Sequence, residues 1–420
     1  MAPAPSTLGD LSRERLVPVV LEYMMVGHLI DRALMPQVAV RAGIDTVDDV
    51  AIDEWLGASP TYTARMRRLM AIEGDDVGAI MKGLQLDVGF VHQYMGVAYE
   101  LTDARHGEFW LNHCGALMDV EPHGEARVVG MCHHIEDPTF DGTAVATNPH
   151  ARIRPIHRPP RVPADREPHC HWTITIDPRN DPIGPAPHTL RVAELPLASV
   201  PNERPGDGEP GGRRDYRGPF DPAFRLADLS HGTLVAVGRE FQEQVHLLTS
   251  SAELSLADRL DADTAREILA SQWIGAAWVA SERLAAALDL GDTSSLDSVA
   301  TVLALHPAFP PGFESAVELG DDGVTLALTP LADGLLDPSN PGWLGLLARG
   351  ERGGVEAIAQ AVDRRTRVTD IAVADDGVVI EVAVDASAAP APEPPEVELV
   401  RLSGAVSWVF DATAGTSARR

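Results

Sequence analysis

Apolar residues at helical spacing open the chain. From residue 12 to about 33, Leu16, Val19, Val20, Tyr23, Met24, Val26, Ile30 and Leu34 recur so continuously that the segment predicts a core helix, not a surface one. Ser59-Pro60 has the residue types of an N-cap and a first helical position and predicts a second helix start. Residues 75 to about 94 predict a third helix, with Val77, Ile80, Met81, Leu84, Val88 and Val91 on its apolar side. The period then changes to alternation. Residues 97–101, a turn over 102–107 and residues 108–113 predict a β-hairpin.

Residues 177–222 are loaded with Pro and Gly, most densely at 204–213, and read as a linker by composition. Structured signals resume at Leu226. Helical windows at 238–249 and 264–288 lead through a helix-rich stretch to His306, and strand-like runs follow. This second half reads as a diverged copy of the first. Arg13-Glu14-Arg15-Leu16 is echoed by Arg266-Glu267-Ile268-Leu269, and Ala98-Tyr99-Glu100-Leu101 by Ala316-Val317-Glu318-Leu319. Residues 151–157 parallel 378–384, and the strand bearing Trp172 parallels one bearing Trp408. The expected fold class is α+β, with two tandem related domains, each a helical segment followed by antiparallel strands. The first domain is expected over 1–176, a Pro/Gly-rich linker over 177–225 and the second copy over 226–420.

Charge narrows the function. With 34 Lys+Arg against 62 Asp+Glu the net charge is −28, which repels phosphate backbones and anionic lipid, so neither nucleic acid nor a membrane surface is expected as a partner. No basic n-region precedes an apolar h-region at the start of the chain, and a cytoplasmic protein is expected. Three cysteines cannot form a disulfide framework and point to free thiols or metal ligands.

All three, Cys114, Cys132 and Cys170, fall between His113 and His171, together with eight of the fifteen histidines, and this concentration marks the window as the place for chemistry. Thiolate and imidazole are ligands that Zn and Fe prefer, and Cys114, Cys132, His133, His157 and Cys170 are the candidate metal ligands. Glu136 is the candidate general base, with His134 beside it. Arg154 and Arg158, in a run with Arg152 and Arg161, concentrate positive charge next to the cluster and are the candidate subsite for an acidic small molecule. Two other uses stay open: a non-catalytic metal- or redox-sensing site, and a metal-free Cys/His nucleophile. Nothing in the second copy replaces Cys132 or Cys170, which places any site in the first.

The order Cys114, Cys132, the Arg/Pro-rich run from Arg152 to Arg161, and Pro168-His169-Cys170-His171-Trp172 resembles the bacterial L-2-amino-thiazoline-4-carboxylic acid hydrolase-like proteins over residues 59–176. The resemblance implies small helix-plus-hairpin domains ending in a Cys-x-Trp strand, and cleavage of a C–N or C–S bond in a small cysteine-derived acid. This chain is about twice as long as one such domain and far richer in histidine, which favours a metal-dependent hydrolase or lyase.

Overall fold

The computed structural model of the chain describes residues 5–209, 211–291, 295–385 and 387–411. The outer ends of the two expected domains, 1–4 and 412–420, lie outside these residues. The first helix, α1 (Arg13–Ala42), is capped by the Ser12 hydroxyl, which accepts from Arg15 N, and runs past the expected end near residue 33. The second, α2 (Val47–Leu69), does not begin at Ser59-Pro60 but carries Pro60 in its interior. Proline leaves the carbonyl four residues earlier without its helical donor, and here the Thr189 hydroxyl donates to that Leu56 carbonyl at 2.8 Å. The third, α3 (Val77–Leu84), is far shorter than the expected 75–94. Beyond it Gln244 takes over the backbone, accepting from Val88 N and donating to Leu86 O.

Strands β1 (Val97–Asp103) and β2 (His106–Leu111) form the expected hairpin with a tighter turn. After α4 (Gly115–Val120) and α5 (Glu125–Val129) the chain makes a π-helical turn at Gly130–Ile135 and continues into α6 (Glu136–Val145). Then β3 (Ala151–His157) and β4 (Cys170–Ile176) complete an antiparallel sheet of order β1-β2-β4-β3. The 177–225 segment is docked and not free: α7 (Pro187–Ala193) lies along α2, and Tyr216 and Phe224 are buried.

The second half repeats this order. It runs through α8 (His231–Ala257), α9 (Ala262–Ala287), α10 (Leu296–Leu305), β5 (Phe313–Leu319), β6 (Gly323–Pro330), α11 (Gly342–Ala348), α12 (Gly353–Val362), β7 (Thr366–Ala374), β8 (Gly377–Val384) and α13 (Pro395–Arg401). The second sheet has order β5-β6-β8-β7, so both halves share one α+β topology. The pairing of elements differs from the sequence expectation. The counterpart of α1 is α8, entered through Leu226-Ala227-Asp228-Leu229-Ser230 as α1 is through Leu8-Gly9-Asp10-Leu11-Ser12, and not the helix containing Arg266. Residues 378–384 stand where β4 stands, so β3 corresponds to β7, and Trp408 is not in a strand.

One constant offset relates Ser12 to Ser230, Glu22 to Glu240, His28 to His246 and Glu54-Trp55-Leu56-Gly57-Ala58 to Gln272-Trp273-Ile274-Gly275-Ala276. The same offset relates Arg65 to Arg283. The halves interlock through these positions, since α1 packs chiefly on α9 and α8, and α2 on α8, while α1 and α2 barely touch. Helix α2 approaches α8 at Gly57, where a Cβ would fall 2.1 Å from Ser251 Oγ. Arg65 on α2 makes a two-pronged pair with Glu240 on α8, at 2.8 and 3.2 Å. Arg283 on α9 does the same to Glu22 on α1, at 2.6 and 3.2 Å. Each guanidinium also donates to carbonyls of the chain that wraps it, Ala198 and Val200 for one and Ala405, Val406 and Trp408 for the other.

Removing one partner of such a pair strands the other without compensation. Glu240→Ala and Arg283→Ala are each expected to lower the unfolding free energy by about 3–5 kcal/mol, in a single cooperative denaturant transition. Two separable transitions, one per half, would contradict the interlock.

Candidate functional site

Cysteine Cys114 caps α4, its sulfur accepting from Leu117 N at 3.3 Å. Cys132 sits in the π-helical turn and Cys170 starts β4, and all three are buried free thiols. They do converge, since each lies within electrostatic reach of Glu136. Burial, reinforced by Glu136, pushes Cys114 up to about 12 and Cys132 and Cys170 up as well, so at neutral pH all three are held as thiols.

The other expected ligands point elsewhere. His133 Nε2 meets Pro159 O at 2.7 Å, and the His157 ring faces His171 with centroids 6.1 Å apart. Among the described residues no group of three or more His, Cys, Asp and Glu side chains stands ready to hold a metal ion, so the set Cys114, Cys132, His133, His157 and Cys170 does not fit Zn or Fe as placed. His134 is exposed and turns to Asp48 at 3.2 Å, away from Glu136. The candidate arginines are already paired within the fold. Arg154 forks onto Asp141 with two 2.8 Å bonds, and Arg158 pairs with Asp137 at 2.5 Å. The reason is local: Asp137-Pro138-Thr139-Phe140-Asp141 forms the first half of α6, and its two aspartates, one helical turn apart, lie against β3 and the loop that follows.

Glu136 opens onto a cavity of about 150 Å³ between α1, α2, α6 and the first sheet. Its walls are mostly apolar, with Met35, Trp55, Phe90, Met95 and Phe140, but three carboxylic acids reach it: Asp31, Asp87 and Glu136. Behind Asp31 lies Glu54, fully buried and within hydrogen-bonding reach of it. No protein donor among the described residues reaches Asp31 Oδ1, either oxygen of Glu54, or Glu136 Oε2. Burial raises Asp31 to about 6 and Glu54 well above the carboxylate range, so the facing pair holds one proton at neutral pH. Burial raises Glu136 to about 8, against the pull of Arg158. Asp87, also raised by burial to about 6, is held by the Tyr62 hydroxyl and by Gly89 N. His28 is kept neutral by burial, down to about 4, with its Nε2 on Gly89 O. Arg32 stands at the mouth, its Nε donating to Asp119 at 2.7 Å, and no other atom among the described residues accepts from its terminal nitrogens.

The second half shows what these positions do without acids. Asp31 is replaced by Thr249, Glu54 by Gln272 and Asp87 by His306. Gln272 is satisfied within the fold, accepting from Trp343 Nε1 and donating to Ile30 O. His306 accepts from Ala308 N and bonds Ala277 O. Asp31, Glu54 and Asp87 were missed in the sequence because they lie in the helical region and not in the Cys/His window. The signal was there in the repeat, where Glu54-Trp55-Leu56-Gly57-Ala58 meets Gln272-Trp273-Ile274-Gly275-Ala276 and the acid is on one side only.

No family model, no curated protein and no solved structure matches the chain.

Because the folded state holds the Glu136 proton up to about pH 8 and the unfolded chain releases it near 4.5, its contribution to stability is full below 4.5 and lost as pH rises through 8. Glu136→Gln is therefore expected to remove a downward slope of up to ~1.4 kcal/mol per pH unit between those limits. Denaturant titrations of both proteins from pH 5 to 9 measure it. Parallel curves would show that Glu136 is ionised in the folded protein.

Proposed function

We propose that the protein is an enzyme that cleaves a C–N or C–S bond in a carboxylate-bearing molecule by acid–base chemistry in the first-half cavity. The observation that carries this reading is that one cavity holds Asp31 and Glu136, two carboxyl groups whose surroundings set them on opposite sides of neutral pH. Asp31, in its ionised form, takes a proton from water as the water oxygen attacks the carbon. Glu136, in its protonated form, delivers its proton to the leaving nitrogen or sulfur as that bond breaks. Glu54, in its protonated form, donates to the ionised Asp31 and leaves the dyad with a single negative charge. The terminal nitrogens of Arg32 are the anchor for the substrate carboxylate, in place of Arg154 and Arg158. The resemblance to the aminothiazoline carboxylate hydrolase-like proteins supports the bond type and the acidic substrate. The thiols pack around Glu136 and keep it dry, a role that needs neither a thiolate nor a metal.

The assay uses 2-amino-thiazoline-4-carboxylic acid with the purified full chain. Hydrolysis is expected to follow a bell-shaped pH profile with limbs near 6 and 8, and Asp31→Asn and Glu136→Gln each to lower kcat by about 10²–10⁴-fold. Cys132→Ala is expected to keep activity within tenfold, and a chelator to leave it unchanged. Activity lost on chelation and restored by Zn²⁺ or Fe²⁺, or abolished with the Cys132 thiol, would overturn this assignment.

A further inference from the structure

The cavity is not sealed. Asp31, Arg32, Met35, Val47, Val120 and Arg127 line both it and a groove of about 630 Å³, so the two spaces adjoin across these side chains. The groove runs outward between the end of α1, the turn at Ile44 and the end of α13, and its character changes along the way. Charge is gathered at the inner end, at Asp31, Arg32, Asp119 and Arg127, whereas the outer part is lined by Pro36, Ala39, Val40, Ile44, Leu399 and Leu402. Val40 is 83% exposed, Ile44 54% and Leu402 76%, so three aliphatic side chains around one groove meet water together.

Resting on the proposed reading of the cavity, we infer that its substrates are amphipathic carboxylates: the polar head sits at Arg32 and the cavity mouth, and an aliphatic chain lies along the groove. An open apolar groove that ends on a guanidinium and an acid pair fits a flexible hydrocarbon chain with a charged end, and its polarity gradient sets the direction of entry. The second half, which lacks the acids, then has a function of its own. It supplies Leu399 and Leu402 to the groove, and its Ser403 hydroxyl and Gly404 N donate to Asp119 at 2.7 and 2.8 Å. Asp119 in turn holds Arg32 Nε, with the Tyr94 hydroxyl donating to the same carboxylate at 3.0 Å. Asp119 is thus the positioning residue that aims the guanidinium outward from the second half.

The experiment is calorimetric binding of n-alkyl carboxylates from butyrate to decanoate to the full chain at pH 7, with n-alkyl alcohols of the same lengths as controls. Affinity is expected to rise roughly threefold for each added methylene, and the alcohols to bind far more weakly. Leu402→Asp, at an exposed position outside the core, is expected to flatten the dependence on length and leave butyrate binding unchanged. Arg32→Gln is expected to weaken every carboxylate at least tenfold while the protein stays folded. Butyrate binding that needs Arg32 but gains nothing with chain length would overturn the amphipathic substrate and leave the cavity reading standing. Carboxylate binding indifferent to Arg32 would overturn both.

Discussion

Each half's first helix is buried by the helices of the other half. Everything else in the fold rests on this exchange, because α1 is apolar almost all the way round and finds too little cover within its own half. The two Arg–Glu pairs that cross between halves, Arg65 to Glu240 and Arg283 to Glu22, fix the register of the exchange. Buried charges of this kind contribute little net stability against an apolar alternative, but a mispaired arrangement leaves four charges without partners, so they select one docking over all others. The glycine at the α2–α8 crossing acts in the same direction by letting two backbones approach where a side chain would hold them apart.

A duplicated core of this size also explains how the first half carries such costly groups. Glu54 and Asp87 are buried, Asp31 and Glu136 half-buried, and every one has its proton affinity raised by loss of water. The second half fills the equivalent space with Thr249, Gln272 and His306, each hydrogen-bonded within the fold. At these three positions the second copy is satisfied within the fold, whereas the first places carboxyl groups there. Unpaired buried acids cost stability wherever they occur, and the meeting of Asp31 and Glu136 in one cavity with Arg32 at its mouth is the reason to read them as chemistry.

In the Cys/His window, closeness in sequence becomes closeness in space for some side chains and not for others. Composition placed Cys114, Cys132 and Cys170 together, and the fold does bring them around Glu136. Adjacent histidines, however, leave in different directions: His133 to the Pro159 carbonyl, His134 to Asp48 and His171 to Glu108. In the same way, the arginine run reads as an anion subsite until α6 is seen to present Asp137 and Asp141 to it. Neighbours in sequence share neither a direction nor a solvent environment, and both decide whether a thiol ionises or a guanidinium is free.

The α+β class, the duplication and the first hairpin were legible in the chain before folding, because they follow from periodicity and residue type, which are local. Only the tertiary structure decided that Pro60 lies inside a helix, that α1 is matched by α8, and that Asp31, Glu54, Asp87 and Glu136 meet. A carbonyl freed by proline is satisfied by a threonine far along the chain, and the strength of an acid is set by how much water the whole fold removes from it. Both depend on residues distant in sequence and near in space.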